Sequence, residues 1–280
     1  MALPKPRNIV EELIIERAPG LASSIVWPLV RPALYGLLGY KRAVDMANAV
    51  ADLSGPEALD YISQLLSLVI KARRSERIPK TGRCVVICNH PTGIADGIAV
   101  YDLLRRVRSD SIFFANADAL RVNPRFSEVL IPVEWVEAKR TREKTRITLS
   151  SARCAFEAEK CVVLFPAGRL ARRGPDGQLS DPAWQTTALS LAQKYDAPLV
   201  PVHLSGPNSI WFHTFNRFSQ ELRDITLFHE FLNKAGKRFD VTVGPVISSE
   251  QLQGEVGLLC ERLKAYIERQ LPFDPDLPAL

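Results

Sequence analysis

From Arg83 onward the chain alternates between short apolar runs and longer segments of helical period, and this alternation constrains its fold more than any other feature. The runs are Cys84–Cys88, Ile112–Ala115, Val129–Val133, Cys161–Phe165, Leu199–Leu204 and Phe239–Val243. Each is too short for a buried helix and apolar on both faces, the pattern of strands covered on both sides. Gly97–Val107, Glu143–Ala158 and Pro182–Tyr195 separate several of them, with apolar residues at helical spacing. Asp181 as N-cap and Pro182 in the first turn would open the last of these helices. The order predicts an α/β fold, a mainly parallel sheet covered by helices on both faces.

The flanks read differently. The first 80 residues read as helical. Ser54-Gly55-Pro56-Glu57 has capping-box spacing, and Ala58, Tyr61, Ile62, Leu65 and Val69 follow at helical intervals. That helix is predicted to end in Lys71, Arg73, Arg74 and Arg77, cations suited to the negative end of its dipole. Near the other terminus, Ser248-Ser249-Glu250-Gln251 forms a second capping box. Leu252, Val256, Leu259, Leu263 and Tyr266 then mark an amphipathic helix packed on the sheet. The predicted organisation is a helical, membrane-associating region over 1–80 and an α/β domain over 81–280.

Leu21–Leu38 is the most apolar segment, but Pro28, Arg31, Pro32 and Gly36 interrupt it. A spanning helix needs about 20 mostly apolar residues, and a central arginine costs roughly 2.5–3.5 kcal/mol. Two placements fit. One is a kinked element in the membrane interface, with Trp27, Tyr35 and Tyr40 at headgroup level. The other is a pair of helices packed on the core.

With 46% hydrophobic residues in 280, the chain can bury a substantial core. Its five cysteines, an odd number without metal-type spacing, point to reduced thiols in a cytoplasmic setting. Glu11, Glu12 and Glu16 fall where a signal peptide would be basic and then apolar, which argues against one. His90, His203, His213 and His229 show no ligand spacing with cysteine or carboxylate, so no metal site is expected. The net charge of +5 is not interleaved with stacking aromatics, which argues against nucleic acid as partner.

The chemistry-bearing stretch is Asn89-His90-Pro91-Thr92-Gly93-Ile94-Ala95-Asp96-Gly97, which starts where a buried strand ends. Parallel sheets carry their reactive groups at this carboxyl edge. Histidine is suited to take a proton near neutral pH, and a carboxylate on its second nitrogen fixes the tautomer. Pro91 and the two glycines make a loop tight enough to fold Asp96 back onto His90. On spacing alone, a structural histidine is the better reading.

Three blocks in order resemble the lysophospholipid acyltransferase family, the PlsC-like glycerolipid acyltransferases. They are Asn89-His90-Pro91 with Asp96-Gly97, Phe165-Pro166-Ala167-Gly168-Arg169, and Val200-Pro201-Val202-His203-Leu204. The resemblance covers roughly residues 83–246. The family hallmark has four residues between His and Asp, whereas here five intervene, as in its hemolysin-like branch. Leu222-Arg223-Asp224 through Phe231-Leu232-Asn233-Lys234 to Val243-Gly244-Pro245 is similar to that branch as well. A glutamate usual to the family is replaced by Ala167, which the branch also tends to carry.

The resemblance implies an O-acyltransferase in which His90 is the general base and Asp96 its partner. It moves an acyl group from acyl-CoA or acyl carrier protein onto a lysolipid hydroxyl, with no resident cofactor. Asn89, Pro91, Gly93, Phe165, Pro166, Gly168, Arg169 and Pro201 are the implied substrate-binding residues. Gly168 would admit a ligand close to the backbone, and Arg169, helped by Arg172 or Arg173, would hold an anionic headgroup. Pro201 would shape the floor of the site. His203 reads as a satisfied core residue, and the aromatic cluster Trp211–Phe215 as core or acyl path.

Two basic stretches, Lys71–Arg83 and Lys139–Arg146, suit an anionic leaflet, the phosphates of coenzyme A, an acidic carrier protein, or plain solvation. The implied location is peripheral, on the cytoplasmic face of the inner membrane. The competing reading is a lipid-binding protein on the same fold without catalysis, motivated by Ala167 and the lengthened His–Asp spacing.

Overall fold

The computed structural model describes residues 6–136, 139–174, 177–207, 221 and 225–280. Its centre is a seven-stranded sheet in the order β1-β9-β8-β2-β5-β3-β4. The strands are β1 (Val69–Arg73), β2 (Cys84–Cys88), β3 (Ser111–Asn116), β4 (Leu130–Val133), β5 (Cys161–Leu164), β8 (Leu199–Ser205) and β9 (Arg238–Val243). Neighbours run parallel except β8 and β9, which pair antiparallel from Val202↔Val243 to Ser205↔Asp240. Two short strands, β6 (Arg172–Arg173) and β7 (Leu179–Ser180), form a separate hairpin.

All six apolar runs are strands of this sheet. β2 shows why: its five residues are buried, with Cys84, Val86 and Cys88 on one core and Val85 and Ile87 on the other. Each fully buried valine or isoleucine contributes roughly 1.5–3 kcal/mol of transfer free energy. On the first face lie α1 (Ile9–Arg17), α2 (Pro19–Ala22), α3 (Trp27–Leu37), α4 (Tyr40–Val50), α5 (Gly55–Leu66) and α6 (Ile94–Leu104). A short α7 (Ala119–Val122) packs there too, and α10 (Leu227–Leu232) adds Phe231 and Leu232. The second face is covered by α8 (Arg142–Glu157), α9 (Thr187–Lys194) and α11 (Val256–Arg269).

Four local readings are corrected. Residues 69–73 are not the end of a helix but the edge strand β1, paired with β9 from Val69↔Arg238 to Arg73↔Thr242. Ser67, at φ +44, takes the left-handed conformation that ends α5, so the chain re-enters extended. The cations that follow do not cap a helix. Arg73 donates to Thr242 Oγ1, and Arg74 and Arg77 grip Asp276 of the C-terminal tail. Charge on an edge strand also discourages pairing with another chain.

The second concerns Ser248–Gln251, which caps a 3-10 turn, Ser249–Leu252. α11 starts at Val256 with Glu255 as its N-cap. The third is Asp181, which caps nothing: α9 begins at Thr187, and Asp181 serves the site described below. The fourth is Trp27, which is 2% exposed and packs in the core, edge-on to Tyr35, while Tyr35 stacks on Tyr40. Trp27 and Tyr35 of Leu21–Leu38 therefore face inward with Ala22 and Leu38, while five aliphatic residues face out: Ile25 and Leu29 are each 80% exposed, and Val26, Val30 and Leu37 join them. Among the described residues, no helix is long and apolar enough to cross a membrane.

Candidate active site

The site forms where β2 and β5 end, at the carboxyl edge of the sheet. After Cys88 the chain turns through Asn89, His90, Pro91, Thr92 and Gly93 into α6. Gly93 makes that entry possible, because its φ of +98 is a conformation that side chains rarely adopt. Asp96 then falls in the first turn of α6, fully buried. Its carboxylate accepts from Thr92 N at 2.8 Å, Gly93 N at 3.0 Å and Thr92 Oγ1 at 2.5 Å. The fourth contact is His90 Nδ1, 2.9 Å from Oδ2. The pair closes across five intervening residues, with Gly93 in the turn between them. Nδ1 is committed to Asp96, which leaves Nε2 as the nitrogen for chemistry on a side chain 17% exposed.

The backbone of His90 is held as firmly as its ring. Its N–H lies 3.1 Å from both carboxylate oxygens of Asp181, and its carbonyl accepts from Ala171 N at 2.9 Å. Asp181 Oδ2 also accepts the Trp184 indole N–H at 2.9 Å. Behind it, Glu268 of α11 accepts Asp181 N at 2.6 Å and Lys264 Nζ at 2.8 Å. Burial pushes the Asp181 carboxyl up to about 6, against the pull of its hydrogen bonds. The sequence offers little sign of this residue beyond Pro182, which favours an extended Asp181 rather than a helical one.

The loop after β5 completes the wall. The Phe165 ring lies 4.6 Å from the His90 ring, tilted by 36°. Pro166 is buried, and its carbonyl accepts Gln185 N at 3.0 Å. Gly168, at φ +58, does admit a close approach, but of Trp135: a Cβ there would lie 2.0 Å from the indole Cζ3. Neither Trp135 nor Asp181 belongs to the residues expected from the sequence. Arg169 is exposed and makes no ion pair among the described residues. Arg172 and Arg173 are exposed on the β6–β7 hairpin beyond it.

Among the described residues, the other expected ones make no hydrogen bond with the imidazole and serve the loop and β8 instead. Asn89 is buried and its amide is spent on β8, donating to Leu204 O at 2.9 Å and accepting Leu204 N at 2.7 Å. It ties the His90 loop to the neighbouring strand. Pro91, within the loop, is buried. Pro201 lies inside β8, in register with Ile87, and its carbonyl accepts Gly244 N. His203 Nδ1 is 2.8 Å from Ile267 O, and burial holds its pKa below the ordinary histidine value, consistent with a core residue. His213, the Trp211–Phe215 cluster and Leu222–Asp224 lie outside the described residues.

The family model for "Acyltransferase" matches residues 69–205. Over that span, just under half of its length, the chain is similar to the acyltransferase family. The matched span of this acyltransferase runs from β1 to β8, so it encloses His90, Asp96, the loop after β5 and Pro201. Two curated relatives carry the name lyso-glycine lipid O-acyltransferase. The one from Phocaeicola vulgatus is 24% identical over 69% of this chain and 69% of its own length. The one from Bacteroides thetaiotaomicron is 24% identical over 71% of this chain and 74% of its own. The crystal structure of the 1-acyl-sn-glycerophosphate (LPA) acyltransferase PlsC from Thermotoga maritima aligns with a TM-score of 0.43 and 16% identity. That alignment covers 77% of this acyltransferase and 79% of the other chain.

Proposed function

We propose that this acyltransferase moves a fatty acyl group from an acyl thioester to the hydroxyl of a lysolipid, with His90 as general base. The observation that carries the reading is the 2.9 Å contact from His90 Nδ1 to a fully buried Asp96. Nε2 takes the hydroxyl proton as the alcohol oxygen attacks the thioester carbonyl. The tetrahedral intermediate then expels the thiolate, which leaves as a thiol with the proton from the imidazolium. No protein nucleophile is required, and Asp96 stabilises the imidazolium while it exists.

Arg169 and the names of the relatives support the acceptor class. An exposed guanidinium beside the site suits an anionic headgroup. A lysophospholipid or a lyso-aminolipid, such as the lyso-glycine lipid for which the two relatives are named, fits this description. Ala167 is buried, so recognition here rests on the arginine rather than on a carboxylate at that position. The exposed face of Ile25, Val26, Leu29, Val30 and Leu37 supports a peripheral site at the membrane surface where such lipids reside. The lengthened His–Asp spacing no longer favours the non-catalytic alternative, because the pair closes despite it.

Lipid mass spectrometry of cells with and without the gene, together with purified protein given palmitoyl thioesters and a panel of lysolipids, tests this reading. The expected product is a lysolipid gaining one acyl chain. No product from any acceptor, with folded protein and lipid present, would count against it.

A further inference from the structure

The β6–β7 hairpin holds the peptide groups of His90 from both of its ends. Where the hairpin begins, Ala171 N donates to His90 O at 2.9 Å. β6 and β7 then pair Arg172 with Ser180 and Arg173 with Leu179. Where the hairpin ends, Asp181 presents both carboxylate oxygens to His90 N, each at 3.1 Å. The N–H and the C=O of one residue are thereby tied to a single paired segment. With both groups held, φ and ψ of His90 are set, and so is the direction in which its imidazole leaves the backbone.

A second carboxylate stands behind the first. Glu268, on α11, accepts Asp181 N with Oε1 at 2.6 Å. Its Oε2 accepts Ser180 Oγ and Lys264 Nζ, each at 2.8 Å. Glu268 therefore fixes the main chain of residues 180 and 181, and the Asp181 side chain passes that constraint on to His90. The arrangement costs stability. Asp181 is buried, and burial disfavours its charged form. Lys264, the cation of this network, pairs with Glu268 rather than with Asp181. A neutral side chain would avoid the desolvation, so a carboxylate at 181 answers to the geometry of His90 rather than to stability.

We propose that Asp181 and Glu268 are positioning residues for acyl transfer, acting through the His90 peptide to aim Nε2 at the acceptor hydroxyl. This rests on the general-base reading above and adds the residues that set its geometry. Alignment for attack is steep in distance, and a displacement of about 1 Å costs about 10²-fold in rate. The loss then falls on the chemical step and not on binding.

The test is steady-state kinetics with a palmitoyl thioester and a lysolipid for the wild type, Asp181→Ala, Asp181→Asn, Glu268→Ala and the Asp181→Ala/Glu268→Ala double variant. In parallel, NMR of histidine-labelled protein follows the Nδ1 proton of His90. In variants that melt cooperatively, Asp181→Ala should lower kcat by roughly 10–100-fold and leave both KM values within about twofold. Asp181→Asn keeps one acceptor oxygen and should retain part of the rate. Glu268→Ala should lower kcat by less than Asp181→Ala, and the double variant should match Asp181→Ala, because Glu268 acts through Asp181. The Nδ1 proton, sharp in the wild type through its bond to Asp96, should broaden in Asp181→Ala. Wild-type kcat in a folded Asp181→Ala, a loss confined to KM, or additive single losses would overturn the proposal. Absence of transfer by the wild type would refute the reaction itself. The Nδ1 proton then decides on the clamp alone: broadening in Asp181→Ala supports it, and an unchanged signal overturns it.

Discussion

Both carboxylate oxygens of Asp181 lie 3.1 Å from the backbone nitrogen of His90, so two acids hold one histidine, Asp96 at its ring and Asp181 at its main chain. The two differ in what surrounds them. Asp96 accepts from three neighbouring donors besides the imidazole, whereas Asp181 faces His90, Trp184 and, behind them, Glu268 and Lys264.

That difference predicts a pH dependence. The Asp181 carboxyl, at about 6, sits above its unfolded value near 3.9, so the folded state binds the proton more tightly. Its contribution is therefore fully present below the unfolded value and is lost as pH rises through about 6, by roughly 3 kcal/mol. Thermal melts of wild type and Asp181→Asn between pH 4 and 7.5 check this. The wild type should lose stability relative to the variant across that interval, and parallel curves would contradict the assignment.

Gly168 and Trp135 should be coupled. Gly168→Ala places a methyl against the indole and a side chain at φ +58, costing about 2 kcal/mol or more. Melting should fall by roughly 4–8 °C. Adding Trp135→Ala should recover the steric part and leave the backbone part, which a double-mutant cycle measures. An additive cycle would show that the two do not share the space.

Arg169→Ala should raise KM for an anionic lysolipid by roughly 10–100-fold, the range of one charge-assisted hydrogen bond. Arg169→Lys should restore part of it. Steady-state kinetics with an anionic and an uncharged acceptor separate this from a general defect, since only the anionic acceptor should suffer.

Ile25→Glu with Leu29→Glu should weaken association with lipid vesicles by at least about tenfold, since each side chain forfeits roughly 1.5–3 kcal/mol of burial. Vesicle sedimentation reads this directly. Unchanged sedimentation would place the membrane contact elsewhere.

The legible parts of the molecule were those where one physical demand dominates. β2, β5 and β8 are apolar on both faces because the sheet is covered twice, and no other element explains such runs. β1 escaped notice because an edge strand tolerates Lys71 and Arg73, and because Val69 continues the helical spacing of α5. The His90–Asp96 pair was visible as residue types and spacing, but only coordinates show the glycine turn that closes it. Asp181 was read as a helix cap because Asp-Pro is a common way to open a helix. Its real partners, His90 and Glu268, are 91 and 87 residues away in sequence, and no local pattern encodes them. Gly168 reads from the sequence as a point where a ligand nears the backbone, and the structure puts the Trp135 indole there. Which group approaches is a tertiary fact.

The central claim is that His90 Nε2 removes the acceptor proton, and His90→Ala tests it most directly. Single-turnover transfer of a radiolabelled palmitoyl group to lysolipid should fall by about 10²–10⁴-fold in a variant that melts like the wild type. A well-folded His90→Ala that transfers at the wild-type rate would contradict the account.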